Sequence, residues 1–206
     1  RNPAAGANFL TELQMASSVN HTHLFFDVLW VNSGIAVTTT TAQAIVTPTL
    51  PARDINGTTD GEGCMIAMLV TTANTNAAVI STTTVSYTNS DGVAGRTATL
   101  AAIVGSQIPA TPVIGTLIWF NLAAGDKGVQ SIQSITLGTS LGAGAVSLMI
   151  TRNIATIGTT IPNVTAQKVI GTPGIRLYNG SCVLHCALTS ATTATFYSGE
   201  LVIQEK

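Results

Sequence analysis

Strand-length runs of β-branched and apolar residues follow one another along this chain, with turn signals about every 8–12 residues, and after the first twenty residues no helical period is sustained between them. Such runs fall at residues 23–31, 35–46, 63–71, 82–88, 96–104, 116–122, 131–137, 145–151, 182–188 and 195–204. Asn32-Ser33-Gly34 and Gly125-Asp126-Lys127-Gly128 supply turns. Asn89-Ser90-Asp91-Gly92 reads as a hairpin in which Asp-Gly provides the positive-φ position. The pattern predicts an all-β fold, an antiparallel β-sandwich of jelly-roll-like type, and excludes a doubly wound parallel sheet. The start reads differently. Asn8 is placed as an N-cap, and Phe9, Leu10 and Leu13 have the spacing of a short helix over residues 9–19. The expected organisation is an N-terminal arm with that helix over 1–22 and a single sandwich domain over 23–206, with 152–180 as an excursion from it.

Composition narrows the function. Charged residues make up 8% of the 206, against about 25% in an average soluble domain, and net charge is −1. Eight Lys and Arg in all do not build a nucleic-acid surface. What replaces charge is threonine, 33 residues, whose branched side chain suits strands and whose hydroxyl tolerates water. With a mean hydropathy of +0.43, the chain cannot cover itself with the charge a dispersed monomer usually carries, so self-association is expected. No run of 18 apolar residues is present, so no membrane helix or membrane partner is expected, and no signal-peptide pattern is legible after Arg1. Three cysteines, Cys64, Cys182 and Cys186, form no disulfide framework and read as free thiols of a chain made in a reducing compartment.

Sites of chemistry were weighed against plainer uses of the same residues. Asp54, Asn56, Asp60 and Glu62 form the one oxygen-rich cluster, and Gly57 allows a tight turn, but the spacing matches no known calcium loop. An Asx-turned loop, with Arg53 beside Asp54 as an ion pair, is the expected use. On a strand, Cys182 and Cys186 share a face that His185 does not, so zinc lacks its four ligands. His21 and His23 share a face but bring no carboxylate pair. Asp27 alone sits inside an apolar strand, and one carboxylate is not a dyad. Trp30 and Trp119 lie in apolar runs and read as core. The expectation is therefore no catalytic residue, no metal and no cofactor. Phe9, Leu10 and Leu13, unpaired on a helix too short to stand alone, are the expected interaction residues.

Four segments carry a resemblance. ARDINGTTDGEG (52–63) and VSYTNSDGVAGRTATL (85–100), with LWVNSGIAVTTTTAQAI (29–45) before them and AAGDKGVQSIQSITL (123–137) after them, resemble small β-rich virion proteins of tailed bacteriophages. The resemblance covers about residues 25–150. It implies a non-enzymatic structural protein made in the host cytoplasm and resident on the capsid surface, decorating or cementing the shell through itself and the major capsid protein. The alternative is a neck, tail or receptor-binding β-module that recognises a host glycan.

Overall fold

In the computed structural model, residues 6–76, 82–100, 114–189 and 195–206 are described. Residues 1–5 of the expected arm and 101–104 of an expected strand lie outside them. The described residues form thirteen strands and no helix. These are β1 (Asn8–Ser17), β2 (His21–Asn32), β3 (Gln43–Ala44), β4 (Cys64–Thr72), β5 (Thr84–Asn89), β6 (Arg96–Leu100) and β7 (Leu117–Asn121). They continue as β8 (Val129–Thr136), β9 (Ala145–Thr159), β10 (Ala166–Val169), β11 (Ile175–Leu177), β12 (Val183–Thr189) and β13 (Tyr197–Glu205). The fold class is the one the turn spacing predicts: all-β, antiparallel sheets, a β-sandwich.

The chain divides into two compact units rather than an arm and one domain. The first is built from Arg1–Asp27 and Asn153–Lys206, the second from Val28–Arg152. Within the stretch 152–180, β10 and β11 both pair with β1 inside the first unit.

In the second unit the strand order is β9-β4-β7-β6-β5-β8-β3. Alternation drives it: β5 reads half-buried, buried in strict turn, and Val85 and Tyr87 are its core residues. They pack with Ile66, Met68, Phe120 and Ile135 in a cluster whose members are almost wholly enclosed. The β5–β6 hairpin closes as expected. Asn89 Oδ1 accepts from the N–H groups of Asp91 and Val93, and Gly92 takes a φ of 78°.

In the first unit β1 is the central strand of its sheet. β10 and β11 pair along one side of it, and β13 along the other. Leu10, Leu13 and Met15 pack with Phe25, Ile154 and Ile157 in a second, smaller core. Each buried leucine contributes about 1.5–3 kcal/mol.

The expected helix over 9–19 is thus a strand, and the reason is local. The pairing of β1 with β13 shifts register between Leu10 and Glu12, so Thr11 is an extra residue in a bulge. The bulge puts Leu10, Leu13, Met15 and Ser17 on one face. A three-residue spacing followed by twos looks helical when the bulge is not known. The expected interaction residues are corrected with it. Leu10 is 1% exposed and Leu13 0%, so neither is free for a partner, and half-buried Phe9 carries the Lys206 ammonium over its ring.

Candidate interaction surface

The acidic loop turns inward. Asp54 is fully buried: Oδ1 accepts from the N–H groups of Asn56 (2.9 Å) and Thr58 (2.7 Å), and Oδ2 from the Thr58 hydroxyl (2.6 Å) and the Glu62 N–H (3.2 Å). Burial opposes its charge, but the bonds from Thr58, Asn56 and Glu62 outweigh burial and hold the carboxyl below its ordinary range. Asn56 Nδ2 donates to Glu62 Oε2, and Asp60 N–H to the Thr58 hydroxyl. Arg53 donates to the Val28 carbonyl. Gly61 fastens this loop to β8: at φ 76°, a Cβ there would lie 1.9 Å from the Val129 carbonyl oxygen. Here the oxygens of Asp54 hold a loop together.

A second polar knot is assembled from residues far apart in the sequence. Asp126 accepts from Arg96 Nε (2.9 Å), from Asn89 Nδ2 (2.8 Å) and from the Tyr87 hydroxyl. The Tyr87 oxygen in turn accepts the Ala123 N–H. Bonding to Arg96 holds Asp126 down at about 2, while burial and then the bond to Asp126 push Tyr87 up to about 12. An open cleft of about 580 Å³ beside it is lined by Met65, Asn121, Leu122, Asp126 and Lys127. One carboxylate with three donors already on it is a brace between hairpins.

All three histidines of the chain meet in the first unit. His23, fully buried, and His185 on β12 share a hydrogen bond from Nδ1 to Nε2 at 2.9 Å, in which one ring donates and the other accepts. His23 Nε2 lies 3.4 Å from the Thr159 hydroxyl. The His21 ring meets His23 edge-on, and both of its ring nitrogens are buried without a partner. Burial first, then the charges of His185 and His21, lower His23 to about 4, and burial lowers His185. Cys182 is exposed just before β12, with its N–H donated to Asp27, and Cys186 is half-buried. Asp27 also accepts from the Ser181 hydroxyl. Among the described residues no three His, Cys, Asp or Glu are arranged to hold a metal ion. Trp30 packs against the core of the second unit, and Trp119 is half-buried on β7.

The exposed feature of the first unit is β13. All nine of its residues are exposed, and among the described residues it pairs with β1 alone. Its direction is fixed by bonds at three points. Ala7 and Lys206 exchange N–H···O bonds (2.7 and 3.0 Å), Ser18 N–H donates to Phe196 O, and the Thr11 hydroxyl donates to Val202 O. The main-chain groups of the even-numbered residues therefore face β1. By alternation, those of Tyr197, Gly199, Leu201, Ile203 and Glu205 face outward. The side chains of these odd residues lie on the core face, opposite Leu10, Leu13, Met15 and Ser17. Yet Ile203 is 50% exposed, Leu201 39% and Tyr197 53%, so apolar surface continues past the last strand. Just before it, Phe196 is 81% exposed, and with Tyr197, Ser17, Ser18 and Asn163 it lines an open cleft of about 290 Å³.

No protein family, curated protein or solved structure matches this chain. The β13 edge is the surface that reading the sequence missed. Its signal was present in the run LVIQ at 201–204, apolar on both faces at the end of a charge-poor chain.

Proposed function

We propose that this chain is a non-enzymatic structural protein of a tailed-bacteriophage virion, decorating or cementing the capsid shell by self-association and by contacts with the major capsid protein. The observation that carries the self-association is β13: a nine-residue edge strand, exposed throughout, with Leu201, Val202 and Ile203 uncovered. Natural edges are usually blunted with lysine, proline or a bulge. This one has no lysine, no proline and no extra residue of its own within Tyr197–Glu205, and its charges are limited to Glu200 and Glu205, in a chain with little charge to keep copies apart. The virion assignment rests on the segment resemblance. It is tested by mixing purified chain with empty phage shells and measuring stoichiometry. Saturable binding at a fixed ratio to the shell protein supports it, and no binding to intact shells overturns it.

One observation favours the second reading, a receptor-binding module. Phe196, 81% exposed, lies at a cleft with serine and asparagine at its walls, a composition that suits a sugar ring. Glycan-array binding abolished by Phe196→Ala would support it, and an empty array would remove it.

A further inference from the structure

We propose that β13 pairs with β13 of a second copy of this chain, antiparallel, about a two-fold axis through Val202. The inference rests on the self-association in the reading above and names its surface.

The edge geometry limits the registers. Outward-facing main-chain groups belong to odd residues, so a second β13 must set odd residue against odd residue to bond with them. A two-fold axis normal to the sheet does this. It also keeps the core faces of both copies on the same side, so each uncovered stripe of Leu201 and Ile203 runs on into the other's. Charge then selects among the registers. An axis at Glu200 would set the two Glu200 carboxylates directly opposite, and an axis at Leu201 would place them on a diagonal within reach. An axis at Val202 sets Glu200 opposite Gln204 of the other copy and clear of the other Glu200, twice by symmetry. On the core face it pairs Leu201 with Ile203, again twice. An axis at Ile203 shortens the overlap and puts Leu201 against Glu205. With the axis at Val202, Leu201 bonds with Ile203 and Gly199 with Glu205 through the main chain, and Val202 meets itself as a non-hydrogen-bonded pair. The closed pair leaves no β13 edge free.

The test uses the full chain with Cys182→Ser to remove the exposed thiol. A non-hydrogen-bonded pair brings the two Val202 Cα atoms to about 4.5 Å, within disulfide reach. The two Glu200 Cα atoms are then four residues out of step, about 13 Å, beyond it. Under mild oxidation, Val202→Cys is expected to give a covalent dimer and Glu200→Cys to give none. Ile203→Lys, at an exposed position, is expected to convert the dimer to monomer in analytical ultracentrifugation with an unchanged melt. If the chain associates but Ile203→Lys leaves it so, or Glu200→Cys cross-links as readily as Val202→Cys, this surface or register is overturned while self-association stands. A chain that stays monomeric at every concentration overturns both.

Discussion

The two units use the same materials to different ends. In the second, Tyr87 and Phe120 are wholly enclosed, the polar loops close on Asp54 and Asp126, and each strand from β4 to β8 has a neighbour on both sides. In the first, the core around Leu13 is small, and its sheet ends at β13 with apolar residues still uncovered. Lysine and glutamate are scarce in both units, five in the first and two in the second. Low charge is common to both units. Among the described residues, the apolar core face that continues past its last strand belongs to the first.

That contrast can be broken at its strong end first. Phe120→Ala is expected to cost about 3–5 kcal/mol by denaturant unfolding, with loss of amide protection in β4, β6 and β7. Leu13→Ala, in the smaller core, is expected to cost about 2–5 kcal/mol and to open β1 and β13. An effect below about 1 kcal/mol at Leu13 would mean that the first unit's core can collapse onto the gap. Tyr87→Phe comes next, at about 1–3 kcal/mol, because it leaves the Ala123 N–H without its acceptor and takes one of two donors from Asp126 Oδ2.

Acid separates the units by window rather than by size. His23 protonates at 6.5 when unfolded but only near 4 in the fold, so the unfolded chain takes up the proton first. The first unit is expected to lose stability as pH falls from about 6.5 towards 4. Asp126, lowered from 3.8 to about 2, contributes stability that is complete above the unfolded value and is lost as pH falls through about 2. Hydrogen exchange followed from pH 7 to pH 3 should therefore deprotect β2 and β12 before β5 and β6. The reverse order would contradict the assignment of His23 as the acid-sensitive group. Smallest of all, Leu201→Ala is expected to change monomer stability by less than about 1 kcal/mol, since the side chain is already 39% exposed, while weakening association.

The all-β class and the Asp91-Gly92 hairpin were legible because alternation and turn chemistry act over a few residues, and each leaves a local trace. The Asp54 loop was legible for the same reason, since its donors lie within eight residues of it. The Asp126 brace was not, because Tyr87, Arg96 and Asp126 come from three separate stretches joined only by pairing. The meeting of His23 with His185 spans 162 positions and depends on the β2–β12 register. The helix expected over 9–19 failed at a single residue, Thr11, whose insertion turned a period of two into a spacing of three.

That insertion also bears on how the chain tolerates changes of length. Thr11 is the one residue in β1 without an opposite number in β13. Removing it would leave Leu10 and Leu13 two apart, still on the same face, at the loss of its carbonyl bond from Ile170 N–H and its hydroxyl bond to Val202. Removing Glu12 gives the same spacing, with Thr11 moved opposite Val202, whereas removing Gln14 would slide a paired residue out of step with its partner on β13. Within one ten-residue strand, a lineage carrying this sequence can shorten by a codon triplet and keep its hydrophobic face only at the bulge, Thr11-Glu12.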